Sequence, residues 1–249
     1  MFGFRTRNVR SGSADISPAG SGRSAAMETL EGRTLLSAAT TADGTFWAGF
    51  GGDAQHSGIS PQISQALQKI HWHTQVDRTP NLVQSQLFIH YGSPVITARN
   101  TVIVPVKLGT DGGFRVVAFD GATGKWKWGI TSDYQLPPHG AVPSFSPSLG
   151  ADGRLYIPGP GGTVYVVKHP DANGIGAGDR SAFYGLSHYV SNRAAYNASV
   201  FIDTPITADK AGNVFFGYQV TGDNSLQLQS GVARISKSGA GTYAGVATA

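Results

Sequence analysis

The chain has 249 residues, of which 34 are glycine and 13 are proline, while charged residues make up only 14%. This composition is typical of many short strands joined by tight turns, because glycine supplies positive φ and proline ends regular structure. Glutamate occurs only at Glu28 and Glu31, so the later acidic residues are aspartates, which favour turns and indicate a helix-poor fold.

Charge and cysteine content exclude several classes of function. Residues 1–40 hold five arginines and three acidic residues, whereas residues 41–249 hold 14 basic and 12 acidic residues. The body is nearly neutral and has no basic run interleaved with aromatics, which argues against nucleic-acid binding. Zero cysteines exclude disulfides, thiolate nucleophiles and cysteine-bound zinc. No window approaches the ~18 apolar residues needed to cross a bilayer, so no transmembrane segment is expected.

Residues 1–45 are rich in Ser, Gly, Ala, Thr and Arg, and this composition predicts disorder. The basic start is not followed by the apolar run of ~7 to 15 residues that an ordinary secretory signal peptide has. One island, METLEGRTLLSA at 27–38, interrupts the low complexity. Its pattern alone predicts one or two amphipathic helical turns.

The island also resembles the Leu-Glu-Pro-Arg-x-Leu-Leu motif found near the N-terminus of exported planctomycete-type proteins. Glycine stands at position 32, where proline is usual. The matching residues are Leu30, Glu31, Arg33, Leu35, Leu36 and Ser37. The resemblance implies an exported protein that is periplasmic, extracellular or displayed on the cell surface.

From residue 46 onward the sequence predicts strands arranged in three repeats. Each repeat has Ser or Thr, then proline, an aliphatic residue, a polar turn and a strand of β-branched or aromatic residues. The repeats are SPVITARNTVIVPV from Ser93, SPSLGADGRLYIPG from Ser146 and TPITADKAGNVFFG from Thr204. Their prolines are 53 and 58 residues apart. Such units of three to four strands predict the blades of a β-propeller.

A further strand is predicted after each repeat, in FRVVAFD at 114–120, TVYVVKH at 163–169 and SGVARIS at 230–236. In the first, alternation places Phe114, Val116 and Ala118 on one face. The other face carries Arg115, Val117 and Phe119. Both faces are mainly apolar, as expected of a sheet packed between neighbouring sheets.

The hairpin after 114–120 carries a signature, A-x-D-x-x-T-G-x-x-x-W, at Ala118, Asp120, Thr123, Gly124 and Trp128. The third repeat matches it in part, at Ala233, Ser238, Gly239 and Tyr243. The signature resembles that of pyrroloquinoline-quinone-like β-propellers, the family of quinoprotein dehydrogenases and the outer-membrane-barrel assembly lipoprotein. The stretch FWAGFGGDAQHSGIS at 46–60 is similar to the lead-in of many such proteins.

This resemblance implies an all-β fold, with residues 46–249 forming a partial propeller of about three four-stranded antiparallel blades. Three blades cannot close a ring, since propellers have ~4 to 8. The chain is therefore expected to be a fragment whose open blade edges favour self-association.

Turn chemistry gives more detailed expectations for the signature. Asp120 and Thr123 are expected to accept hydrogen bonds from N–H groups of the turn, and Gly124 to take the left-handed conformation. Trp126 and Trp128 are expected on one face, as packing elements between blades. The stretch KIHWHTQV at 69–76 is predicted to be an outermost strand.

Two groups of residues are candidate metal ligands. His71 and His73 would share a strand face, but solvated histidines are the favoured interpretation. The residues Asp171, Asn173 and Asp179 resemble the alternating oxygen donors of a calcium loop. Because Ile175 occupies the place of a third acidic ligand, a glycine-rich loop is favoured over a calcium site.

Family dehydrogenases combine a vicinal cysteine pair, a tryptophan platform and a bound calcium, and this chain lacks cysteine and any glutamate after position 31. No catalytic, cofactor-binding or metal residue is therefore assigned, and no cofactor is predicted. The predicted function is a non-enzymatic, exported or surface-associated scaffold or interaction module for a protein or glycan. The alternative is the N-terminal part of a quinoprotein-like oxidoreductase that lacks its catalytic portion.

Overall fold

A computed structural model describes residues 46–60, 66, 68–77, 81–83, 86–88, 92–108, 113–136 and 145–246. All of them belong to one compact unit, Thr41–Ala249. They form three antiparallel sheets of four or five strands, and this confirms the all-β, partial β-propeller arrangement that the repeats predict. The tail at 1–45, with its predicted disorder and export motif, lies outside the described residues.

A small hairpin and the first sheet come first along the chain. The hairpin pairs β1 (Asn81–Val83) with β2 (Gln86–Phe88). The first sheet is a four-stranded meander in chain order. Its strands are β3 (Val95–Ile96), β4 (Thr101–Lys107), β5 (Phe114–Asp120) and β6 (Trp126–Ser132).

The second sheet repeats this order with four strands. They are β7 (Ser148–Leu149), β8 (Leu155–Pro158), β9 (Thr163–Val167) and β10 (Asp179–Ala182). The third sheet has five strands, because its innermost position is shared by two short strands that both pair with the same neighbour. They are β11 (Val200–Ile202), β12 (Thr207–Ala208), β13 (Val214–Val220), β14 (Gly231–Ile235) and β15 (Gly241–Gly245).

The same hairpin opens each of the three repeats. In each, the N–H that starts the turn donates to the carbonyl four residues later, in the pairs Thr97–Thr101 at 3.1 Å, Gly150–Arg154 at 2.9 Å and Asp209–Asn213 at 2.9 Å. The last turn residue has positive φ in all three, at Asn100, Gly153 and Gly212. A turn that ends in a left-handed residue is a common hairpin connection. The internal repeat seen in the sequence is therefore a repeat of backbone geometry.

The main core joins the facing sides of all three sheets. One face of β5, with Phe114, Val116 and Ala118, belongs to it, as the alternation predicts. The opposite face contributes Val117 and Phe119 to a separate, smaller apolar cluster. Both faces of β5 thus exclude water, which is the pattern of a blade rather than of a one-sided sheet.

The predicted placement of Trp126 and Trp128 on one face is wrong. Ala118 pairs with Trp128 but Phe119 pairs with Trp126, so Lys127 is an extra, bulged residue. A bulge breaks the alternation of side chains along a strand. Trp128 is therefore buried in the main core, whereas Trp126 lies beside Phe119 and is 51% exposed.

The stretch at 69–76 is not an outermost strand, because no described strand pairs with it. It is held by side chains instead. The indole Nε1–H of Trp72 donates to the carbonyl of Gly121 at 2.8 Å, and Val76 packs against the small apolar cluster. Its β-branched and aromatic side chains thus pack on the first sheet, although its backbone forms no strand pairing with the described strands.

Two short helices, α1 (Leu186–Ser191) and α2 (Arg193–Ser199), connect the second and third sheets. Each buries one tyrosine, Tyr189 and Tyr196, against the 3₁₀ turn Pro160–Gly162 between β8 and β9. The sequence interpretation contained no helix here, although the two tyrosines are seven residues apart, which is the spacing of one helix face.

Candidate binding cleft

The lead-in at 46–60 contacts the innermost strands of all three sheets. Trp47 forms an antiparallel bridge with Ile96 on β3. The carbonyl of the next residue, Ala48, accepts the N–H of Leu149 on β7 at 2.7 Å. The imidazole Nε2 of His56 lies 3.1 Å from the hydroxyl of Thr207 on β12. This one segment therefore holds the inner edges together and leaves Phe46 at the rim of a cleft.

The cleft has a volume of about 580 Å³ and lies between the first and second sheets. Its walls are the opening hairpin turns of these sheets, at 97–99 and 150–153, together with Phe46 and the loop residues 168–172 that follow β9. All of these belong to turns at the same end of the two sheets, so the cleft is built from the ends of the hairpins rather than from strand faces.

The loop after β9 is fixed to the first sheet by two hydrogen bonds. The hydroxyl of Thr97 donates to Oδ1 of Asp171 at 2.5 Å. The indole Nε1–H of Trp128 donates to the carbonyl of Pro170 at 2.7 Å. Because both partners on the first sheet are almost fully buried, the wall of the cleft is anchored in the core.

Two of the charged residues that line the cleft, Asp152 and Lys168, form ion pairs with neighbouring side chains. Asp152 lies 3.4 Å from Arg154 and 3.7 Å from Lys237, and so is neutralised by two cations. Lys168 forms an ion pair with Asp179 at 2.8 Å, and this contact lowers the pKa of Asp179.

Arg99 and His169 differ from these groups. Both are exposed at the cleft, and neither side chain has a hydrogen-bond or ion-pair partner within the described part of the chain. Within the described residues, the cleft thus presents an unpartnered guanidinium and an unpartnered imidazole on the same lining as the carboxylate of Asp171. It offers hydrogen-bond donors and acceptors side by side, with a partly exposed phenyl ring, Phe46, at its rim.

The structure does not arrange the candidate calcium loop as a ligand set. One oxygen of Asp171 is bonded to Thr97, Asp179 is paired with Lys168, and Asn173 is exposed. Ile175 is half-buried against the main core, which explains an apolar residue at that position. Among the described residues, no group of three His, Cys, Asp or Glu side chains is placed to hold a metal ion.

His71 and His73 are both exposed and flank the half-buried Trp72. Trp72 packs over the turn of the signature hairpin, where Gly124 has a φ of 70°. In the same turn, the N–H of Thr123 donates to Asp120 at 2.9 Å, and the N–H of Lys125 donates to the hydroxyl of Thr123 at 3.3 Å. The turn chemistry predicted for the signature is confirmed.

A second polar cluster, which sequence reasoning missed, links the first two sheets to α1. Arg180 on β10 donates to both carboxylate oxygens of Asp133 and, at 2.9 Å, to the hydroxyl of Tyr189. It also donates to the hydroxyl of Tyr165, whose pKa is raised by burial and by its hydrogen bond to Asp133. These residues are 56 positions apart at most, and no local pattern signals that they meet.

The chain matches no protein-family model, and a search of curated proteins gave no match. None of the described helices has the length and apolar character needed to cross a membrane.

Proposed function

We propose that this chain is a non-enzymatic, exported or surface-associated β-propeller repeat module that binds a protein or glycan ligand in the cleft between its first and second sheets. The observation that carries the proposal is the pair of unengaged side chains, Arg99 and His169, at a cleft whose walls are anchored in the core. Polar groups on a rigid scaffold are a common basis for recognition, because they need little ordering on binding.

The dimensions of the cleft support the same conclusion. A volume of about 580 Å³ lies within the range of roughly 300 to 1,000 Å³ that ligand pockets have. A groove of about 490 Å³ approaches this size, but most of its lining residues are apolar, and it runs along the face of β5 that carries Val117 and Phe119. The hairpin-end cleft is lined instead by Asp171, Phe46 and two side chains, Arg99 and His169, that have no hydrogen-bond or ion-pair partner among the described residues.

Binding is tested with the full chain on an array that carries neutral and acidic glycans, acidic peptides and basic peptides. Ala151 is exposed on the cleft wall, so Ala151→Trp should fill the cleft without removing any internal contact. We expect the variant to keep its melting temperature and to lose binding. Binding that Ala151→Trp leaves intact, or no binding to any probe, would refute the proposed site.

Export is tested separately, because it depends on the N-terminal motif and not on the cleft. In a host that exports proteins with this motif, the full chain should be digested by protease added to intact cells. The substitution of Leu35 and Leu36 by aspartate should protect the chain by retaining it inside. A chain that is protected in both forms would contradict surface association while leaving the binding result unaffected.

A further inference from the structure

We propose that the ligand of the cleft is an uncharged saccharide, and this inference rests on the proposed function. The ring of Phe46 would take the apolar face of one sugar residue. Arg99, His169 and Asp171 would bond its hydroxyl groups.

The polar groups of the cleft match hydroxyl groups. A hydroxyl donates one hydrogen bond and accepts others, so a ligand with several hydroxyls needs donors and acceptors close together. Arg99 supplies donors only, whereas the carboxylate of Asp171 supplies acceptors only, and its Oδ1 already receives the Thr97 hydroxyl at 2.5 Å. Its second oxygen has no hydrogen-bond partner among the described residues and can accept from a ligand.

The mixture of charges disfavours an ionic ligand. Asp152 and Lys168 are already compensated by their own ion pairs, which leaves Arg99 and Asp171 as the opposite charges that a ligand would meet. A strongly acidic ligand would lie against the carboxylate of Asp171, and a strongly basic one would lie against the guanidinium of Arg99. Juxtaposed like charges oppose binding, so a neutral ligand fits best.

The aromatic ring at the rim supplies the apolar contact. Phe46 is 42% exposed, although phenylalanine is usually buried. The face of an aromatic ring carries negative charge density and attracts the weakly positive C–H groups that line one face of a sugar. An exposed ring beside a polar cleft is therefore suited to a ligand that is apolar on one face and hydroxylated at its edge.

The cleft is also rigid enough to hold such a ligand. The loop that bears Asp171 is tied to buried Thr97 and Trp128, and Ala172 donates to the carbonyl of His169 at 3.1 Å. A ligand without net charge gains no long-range attraction, so its affinity depends on how little the site must be ordered when it binds. A prearranged cleft satisfies that condition.

The experiment measures binding of the full chain by calorimetry to three probes, namely uncharged oligosaccharides, oligosaccharides rich in carboxylate or sulfate, and acidic peptides. We expect binding to uncharged oligosaccharides that changes less than twofold as salt is raised, because no net charge is screened. Arg99→Ala and Phe46→Ala should each weaken this binding by about tenfold, the effect of losing ~1.4 kcal/mol.

Lys210→Ala is the matched control, because Lys210 is exposed in the corresponding hairpin of the third sheet and lies outside the cleft. It should bind as the unsubstituted chain does. All variants replace exposed side chains, and unchanged melting temperatures would confirm that they fold.

Binding only to acidic saccharides or acidic peptides, with steep loss at high salt, would overturn the saccharide inference. The proposed function would survive that outcome if Ala151→Trp abolished the binding. No binding to any of these probes would overturn the saccharide inference, and the proposed function would fall with it only if the array also showed no binding. Binding of uncharged saccharides that Arg99→Ala and Phe46→Ala leave intact would overturn the residue assignment.

Discussion

Arg180 on the second sheet and Asp133 at the end of the first are joined by a forked contact, with Nη2 of the guanidinium 3.1 and 3.0 Å from the two carboxylate oxygens. The guanidinium also lies over the ring of Tyr165, with its carbon 4.4 Å from the ring centre. The arginine side chain is mostly buried, and the contact ties β10 of the second sheet to the residue that follows β6 of the first.

Removal of this contact should destabilise the protein more than removal of a surface ion pair. Arg180→Met should lower the free energy of unfolding by about 2 kcal/mol, since it breaks the charge-assisted hydrogen bonds to Asp133 and removes the donor to the Tyr189 hydroxyl. The control is Lys168→Met, because Lys168 forms its ion pair with Asp179 at a well-exposed position. That change should cost less than ~1 kcal/mol. Urea denaturation measures both variants, and an equal loss of unfolding free energy in Arg180→Met and Lys168→Met would contradict the role assigned to Arg180.

The bulge at Lys127 predicts different roles for two neighbouring tryptophans. Trp128→Ala should cost about 3 to 5 kcal/mol, because the ring is 2% exposed in the main core. Trp126→Ala should cost less than ~1 kcal/mol, because its ring is half-exposed. Chemical denaturation of the two variants measures this difference, and similar losses would show that the two rings share one environment.

The turn of the signature hairpin predicts a contrast between two glycines that both have positive φ. At Gly124, a Cβ would lie 2.7 Å from the ring of Trp72, whereas at Gly174 no atom lies within 4 Å. Both alanine variants should lose ~1 to 2 kcal/mol of unfolding free energy, because alanine is strained in the left-handed conformation. Gly124→Ala should lose at least ~1 kcal/mol more, because its Cβ clashes with Trp72. Thermal or urea unfolding measures the stability of the two variants. A larger loss of stability in Gly174→Ala than in Gly124→Ala would contradict the prediction.

Buried tyrosines predict sensitivity to high pH. Burial raises the pKa of Tyr134 and of Tyr184 well above the ordinary value of 10.0. The unfolded chain releases these protons near pH 10, while the folded protein retains them, so stability is complete below pH 10 and falls as pH rises further.

The measurement is the urea midpoint between pH 8 and pH 11. Tyr134→Phe should start from a lower stability at pH 8, since Tyr134 donates to the carbonyl of Ile202 at 2.7 Å. Its stability should then fall less steeply with pH, because one ionising group is gone. An unchanged slope would show that Tyr134 ionises in the folded protein as it does in the unfolded chain.

The sequence predicted the repeats and turns because these depend on local chemistry. Turn residues such as Asp120 and Gly124 determine the backbone only of their close neighbours in sequence, and so do the prolines at 94, 147 and 205. The bulge at Lys127 was not predictable from alternation, because it depends on pairing with β5.

The cleft and the Arg180 cluster escaped prediction for a related reason. Thr97 and Asp171 are 74 residues apart, and Asp133 and Arg180 are 47 apart, so only the packing of one sheet on the next brings them together. Composition and motif could indicate a repeat scaffold, but not which loops meet. Self-association through open blade edges and the oxidoreductase alternative stay predictions.

The most direct test of the binding cleft is hydrogen exchange of the full chain, measured by mass spectrometry with and without saturating uncharged oligosaccharide. Bound ligand should slow exchange at 97–100, 150–153 and 168–172, and should leave the third hairpin at 209–212 unchanged. Protection elsewhere, such as along β5 and β6, or no protection at any segment, would contradict the account.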